Sequence, residues 1–130
     1  MIDLAKLNIN DIFYAINERI DICGNINVAV NLFKVINKLN DESVLAENIS
    51  LNIIPEHKRL VFNQPKNDSI ISAQTHGYYH TYFSVEIGDN LEEIINNYCE
   101  YLLTDVKEDG WRDFEIDNAL DYLGTYLNYD

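Results

Sequence analysis

Basic residues are scarce in this chain of 130 residues. Nine lysines and arginines stand against 22 aspartates and glutamates, which gives a net charge of −13 at pH 7. A charge of this size and sign repels phosphates, so direct binding to nucleic acid or to an anionic membrane is not expected. The kind of partner that such a charge favours is a positively charged protein.

Cysteine is almost absent, since only Cys23 and Cys99 occur and they are far apart in sequence. Neither belongs to a Cys-x-x-Cys pair, and neither has basic neighbours that would activate it as a nucleophile. The three histidines, His57, His76 and His80, match no zinc-ligand spacing. Both cysteines are therefore predicted to be buried, reduced thiols with a packing role, and no metal site is expected.

Long apolar runs and a leader pattern are also missing. No segment approaches 18 consecutive apolar residues, and residues 1–11 lack a basic start followed by an apolar stretch. With so little cysteine, these features favour the reducing cytoplasm as the location. We predict one globular domain over residues 1–130, because a chain of this length can bury about two-thirds of its unfolded surface without a disulfide or a metal.

Catalytic motifs are absent as well. There is no Gly-rich phosphate loop, nucleophile elbow or HExxH sequence, and carboxylate pairs are too common here to indicate acid–base chemistry. We expect neither an enzyme nor a cofactor, and a small enzyme remains a minor alternative. The one dense basic cluster, residues 57–59, is interpreted as an exposed strand end, with a phosphate contact as the alternative.

What the chain does have is an acidic block in its last third. Residues 89–130 contain 12 acidic and two basic residues, so 10 of the 13 net negative charges lie in this segment. Aromatic residues are interleaved with the acids, among them Trp111 and Tyr122. The block is therefore the main candidate for a functional surface.

Helical spacing of apolar residues predicts two helices at the start of the chain, over residues 9–23 and 27–39. Gly24 is predicted to adopt the left-handed conformation that ends a helix, so the two helices form an αα-hairpin. The apolar positions that carry these predictions are Ile9, Ile12, Phe13, Ile16 and Ile20, and then Val28, Leu32, Val35 and Leu39.

Alternating polarity then predicts four strands, which are followed by two helices with one apolar face each. The fold class expected is α+β, with an antiparallel sheet of about four strands, helices packed on it and the order ααββββαα. The predicted strands are 49–54, 58–63, 69–75 and 78–87, the last two joined by a turn at residues 76–77, and the predicted helices are 90–104 and 113–128.

Three aspartates define a stripe on the last helix. Asp113, Asp117 and Asp121 recur every four residues, which places them on one helical face. Repulsion between them costs about 0.5–1 kcal/mol, an amount that a domain tolerates, so a solvated acidic face is one interpretation. The other is a docking surface for lysine and arginine of a partner, with Trp111 and Tyr122 as aromatic anchors.

The loop before this helix carries further acids and invites comparison with a calcium-binding loop. With Asp105 as its first position, Asp109 and Asp113 stand where ligands are needed, but Ile116 replaces the bidentate glutamate that such loops require. Calcium binding is therefore not expected. We predict instead that Asp105, Glu108 and Asp109 extend the partner-binding surface.

Its small size, its acidity and its nine tyrosines give the chain a class-level likeness to immunity proteins. It resembles those of bacterial toxin systems, including contact-dependent growth inhibition, although it shares no family motif with them. The resemblance implies a cognate basic toxin, such as a nuclease domain, whose active site or flank is masked. The alternatives are a phage-type inhibitor or nucleic-acid mimic that occupies a DNA- or RNA-handling protein, and a homo-oligomeric scaffold. A monomer or weak homodimer is expected.

Overall fold

Strands come first in this chain and helices come last. A computed structural model of the chain describes residues 3–20, 23–50, 58–65, 71–75, 83–104 and 111–126. Within these ranges a short 3-10 helix is followed by six β-strands and two α-helices. The 3-10 helix is Leu4–Lys6, the strands are β1 (Ile12–Ile20), β2 (Ile26–Lys38), β3 (Ser43–Asn48), β4 (Arg59–Asn63), β5 (Ile71–Thr75) and β6 (Phe83–Gly88), and the helices are α1 (Leu91–Thr104) and α2 (Asp113–Gly124).

The six strands form a closed barrel in sequence order. Each strand is antiparallel to the next, and β6 also pairs with β1, with Tyr14 opposite Gly88 and Ala15 opposite Ile87. This topology contradicts the expected order ααββββαα and the expected sheet of about four strands. Residues 9–23 and 27–39, predicted as helices, instead provide β1 and β2.

The apolar residues of β1 and β2 were interpreted as helical because both faces of these strands are covered. In β1, Phe13 and Ala15 point into the barrel, while Ile16 packs outward against the helices. A strand covered on both faces loses its alternating pattern, and a short apolar run then fits a helix equally well. Gly24 does have a positive φ of 82°, as predicted, but it lies in the connection between two strands.

Later elements agree better with their predictions. The strand at 58–63 is confirmed as β4, and the hairpin of 69–75 with 78–87 is confirmed in the antiparallel pairing of β5 with β6. Of the strand predicted at 49–54, residues 49 and 50 follow the end of β3 at Asn48 and are not part of a strand. Residues 51–57 and the 76–77 turn lie outside the described residues.

Both C-terminal helices are confirmed, although their ends differ in detail. Helix α1 begins at Leu91, and Asn90 caps it, since the Asn90 side chain accepts a hydrogen bond from the Glu93 backbone amide at 3.1 Å. In the part of the chain that the structure describes, no helix has the length and apolar character needed to cross a bilayer.

Three phenylalanine rings fill the barrel. The ring centroids of Phe13, Phe33 and Phe62 lie 5.0–5.8 Å apart, and all three side chains are fully buried. Two of the contacts are edge-to-face, the geometry that aromatic quadrupoles favour. Leu4 of the 3-10 helix and Leu7, which follows this helix, also belong to this core.

A second core lies between the outer face of the barrel and the two helices. Ile16 of β1 contacts a cluster that includes Ile94 and Ile95 of α1 and Leu123 of α2. Each helix therefore buries one face against the sheet and leaves the opposite face in solvent. This arrangement exposes the acidic side of α2.

Gly88 of β6 packs closely against Ile94 of α1. A Cβ atom at Gly88 would overlap Cγ2 of Ile94, whose side chain is buried, whereas a Cβ at Gly124 would meet nothing within 4 Å. We therefore expect Gly88→Ala to lower the free energy of unfolding by about 1–3 kcal/mol. Chemical denaturation measures this, with Gly124→Ala as the matched control; equal stability of the two variants would contradict the packing described here.

Candidate functional site

The exposed side of α2 carries the three aspartates predicted as a stripe. Asp113, Asp117 and Asp121 are all exposed, while Ile116 and Leu123 of the same helix are buried. Successive members are about 6 Å apart along the helix axis, because an α-helix rises about 1.5 Å per residue. Asp113 also lies in the first turn, where a negative charge suits the positive end of the helix.

Phe114 lies among these acids and was not among the residues predicted for the site. Its side chain is 47% exposed, and the Arg112 guanidinium carbon is 4.7 Å from its ring centroid. The sequence could have predicted this position, since the spacing of residues 114, 117 and 121 places them on one helical face. We call Asp113, Phe114, Asp117 and Asp121 the acidic face.

Two aromatic residues expected on this surface lie elsewhere. Trp111 is only 6% exposed and packs in the core between barrel and helices. Tyr122 is half-buried, and its hydroxyl accepts a hydrogen bond from the backbone N–H of Val30 at 3.1 Å. Both residues fasten α2 to the rest of the molecule, so Phe114 is the aromatic residue that the acidic face presents.

The remaining predicted site residues, Asp105, Glu108 and Asp109, lie outside the described residues, as do the three histidines. The comparison with a calcium loop falls on the same segment. Among the residues that the structure describes, no cluster of three or more histidine, cysteine or acidic side chains is arranged to hold a metal ion.

The cysteines and the basic cluster play no part in the acidic face. Cys23 is exposed, contrary to the buried position predicted for it, and Cys99 is half-buried beside the helix core, where burial raises the pKa of its thiol. In the basic cluster, Lys58 forms a salt bridge to Glu47 at 3.7 Å, which keeps it on the β3–β4 side of the barrel.

Glu115 is the buried acid that positions α2. Its side chain is 2% exposed, and its carboxylate accepts hydrogen bonds from Arg112 and from the backbone N–H of Ile26 in β2. The Arg112 side chain and these backbone amides lower the pKa of Glu115 from 4.5 to about 2. Because the carboxylate joins the start of α2 to the start of β2, it fixes the direction in which the acidic face points.

Two further acids lie under α1. The Tyr98 hydroxyl donates to a Glu18 carboxylate oxygen at 2.5 Å, and burial together with this carboxylate raises the pKa of Tyr98. Burial also raises the pKa of Glu86, which lies opposite Ile16 on the neighbouring strand. Glu18 and Glu86 are half-buried, whereas Tyr98 is buried in the core between barrel and helices.

Replacing Glu115 tests its role in holding the helix. We expect Glu115→Gln to lower the free energy of unfolding at pH 7 by about 1.5–3 kcal/mol, because charge-assisted hydrogen bonds to Arg112 and Ile26 are weakened. A carboxyl group with a lowered folded-state pKa stabilises above pH 4.5 and loses this contribution as the pH falls toward about 2. The difference between wild type and variant should therefore shrink across that window.

Urea denaturation at a series of pH values measures this difference, and Glu92→Gln on the exposed side of α1 is the matched control. A wild type-to-variant difference that stayed constant from pH 7 to pH 2 would contradict the network around Glu115.

Comparison with known proteins found no relative of this chain. No family model, no curated protein and no solved structure matches the chain. The function is therefore inferred from the residues and their geometry.

Proposed function

We propose that this protein binds a basic partner protein through the acidic face of α2, and that it acts as an immunity protein against a toxin. The observation that carries the proposal is the arrangement of three exposed carboxylates around one exposed phenylalanine. Carboxylates attract lysine and arginine, and an aromatic residue within a polar surround is a common anchor of protein interfaces.

The fastening of α2 supports this proposal. Trp111 just before the helix, Glu115 in its first turn and Tyr122 in its last turn connect α2 to the barrel through packing and hydrogen bonds to β2. A surface held in this way loses little conformational entropy when a partner binds, so more of the contact energy appears as affinity. The proposal includes neither a cofactor nor a catalytic reaction, and it places the protein in the cytoplasm.

Electrostatics also favour fast association. The chain carries a net charge of −13, and complementary charge accelerates the encounter with a basic protein far more than it strengthens the final complex. Rapid capture is useful against a toxin, because inhibition must precede damage.

The nucleic-acid mimic is the less favoured alternative. A mimic needs charges along an extended face, whereas the three carboxylates of the stripe lie within one helix of 12 residues. For the scaffold alternative, the sequence offers an amphipathic strand face at residues 78–82, and these residues lie outside the described residues. Neither alternative has a supporting observation equal to the acidic face.

Recovery of the partner tests the proposal. The tagged wild-type chain and a variant with Asp113, Asp117 and Asp121 all replaced by asparagine are compared in lysates of the source cells. We expect mass spectrometry to find a basic protein enriched with the wild type alone, and the wild type to suppress the activity of that protein. A partner that binds both forms equally, or that remains active when bound, would count against an immunity function.

A further inference from the structure

A cleft lies between the outer face of β2 and the ends of the two helices, away from the acidic face. Its volume is about 380 Å³, which falls within the range of small-molecule sites. The walls combine half-buried aliphatic side chains with the hydroxyl groups of Tyr14, Ser50, Tyr122 and Tyr126. The lining residues used below are Val30, Leu32, Ser50, Leu91, Tyr122 and Tyr126.

The hydroxyl groups in the cleft retain hydrogen-bonding capacity. The Tyr122 oxygen accepts the Val30 N–H at 3.1 Å and lies 3.0 Å from the Tyr126 hydroxyl. One of the two tyrosine hydroxyl protons lies between these oxygens. Among the described residues, the other hydroxyl proton has no acceptor. Likewise, the Ser50 hydroxyl accepts the Leu32 N–H at 2.9 Å, and its own proton finds no acceptor in the described part of the chain.

Tyr126 stays protonated at neutral pH. Burial, the hydrogen bond shared with Tyr122 and the proximity of that residue raise the pKa of Tyr126 to about 12. Because the two hydroxyl groups share one hydrogen bond, one hydroxyl of the pair keeps a proton that it can donate. Linked hydrogen bonds polarise one another, which strengthens this donor.

The shape and charge of the cleft limit the class of ligand that it can bind. The rings of Tyr122 and Tyr126 meet at 76° with centroids 5.5 Å apart, so a planar molecule can stack on one ring and contact the edge of the other. The lining contains no charged side chain, and a charged ligand would lose hydration without gaining a partner.

We infer that this cleft binds a small, uncharged planar molecule bearing a carbonyl or ring-nitrogen acceptor, which receives the spare proton of the tyrosine pair. This site is separate from the acidic face and does not depend on the proposed function. A ligand here contacts the side chains that join α2 to β2.

Titration with benzamide, a planar neutral amide, tests the inference by protein-observed NMR. We expect saturable shifts of the Val30 and Leu32 backbone amides, with a dissociation constant of roughly 1–10 mM for a probe of this size. Tyr126→Phe keeps the ring and removes the hydroxyl that is hydrogen-bonded to Tyr122, so it should weaken binding about 3- to 10-fold. Toluene, which has no acceptor, should bind the wild type more weakly than benzamide.

Tyr101→Phe is the matched control, because Tyr101 lies on α1 beside Tyr98 and does not line the cleft. It should leave the benzamide affinity unchanged. The inference is overturned if the Val30 and Leu32 amides show no saturable shift, or if the two tyrosine variants bind benzamide equally. Equal binding of toluene and benzamide would also overturn it. Since the titration contains no partner protein, failure here leaves the proposed function untouched.

Discussion

Replacing Asp113, Asp117 and Asp121 together by lysine is expected to slow association with the basic partner by roughly 100-fold at low ionic strength. The three side chains are exposed on one face of α2, so reversal changes the local potential where the partner approaches. The dissociation rate should change much less, because steering acts on the encounter rather than on the packed complex. Stopped-flow or surface plasmon resonance measures both rates.

A second triple variant separates the acidic face from net charge. Glu92, Glu93 and Glu100 are exposed on α1, and their replacement by lysine alters the total charge by the same amount. We expect this control to slow association only a few-fold, and circular dichroism establishes that both variants are folded. If the two variants slow association equally, the charge acts globally and the acidic face has no special role.

Phe33→Ala is expected to lower the free energy of unfolding by about 3–5 kcal/mol. The Phe33 ring is fully buried and contacts both Phe13 and Phe62, so truncation leaves a cavity that the surrounding strands of a closed sheet fill poorly. A loss of this size is a large share of a typical folding stability of about 5–15 kcal/mol. Urea denaturation followed by circular dichroism gives the value.

Phe114→Ala provides the same chemical change on the surface. Its side chain is 47% exposed and contacts Arg112, so its loss should cost less than about 1 kcal/mol. A cost at Phe33 no greater than the cost at Phe114 would contradict the core described inside the barrel. Phe114→Ala should also weaken partner binding, since Phe114 is the exposed aromatic residue of the acidic face.

The second half of the fold was more predictable than the first for a physical reason. The helices α1 and α2 each bury one face and expose another, so their apolar residues keep the helical period. Strands β1 and β2 have the barrel core on one side and the helices on the other, which removes the alternation that identifies a strand. The isoleucine and valine content of these segments was the better indicator, since β-branched residues favour strands.

The candidate site was predictable in part. Exposure of Asp113, Asp117 and Asp121 follows from their spacing alone, given the apolar residues on the other side of the helix. The burial of Trp111 and the hydrogen bond that Tyr122 accepts from β2 do not, because they depend on residues distant in sequence, as with Val30, which lies 92 residues before Tyr122. Local pattern contains no information about such distant contacts, and the role of Glu115 was missed for the same reason.

The most direct test of binding through the acidic face is to map the surface of this chain that contacts the partner. In an NMR titration of the labelled chain with its recovered partner, the largest backbone amide shifts should fall on Arg112 to Asp121, with smaller changes on β3 to β5. Largest shifts on the strands, with the α2 amides unchanged, would contradict the assignment of the acidic face as the binding surface.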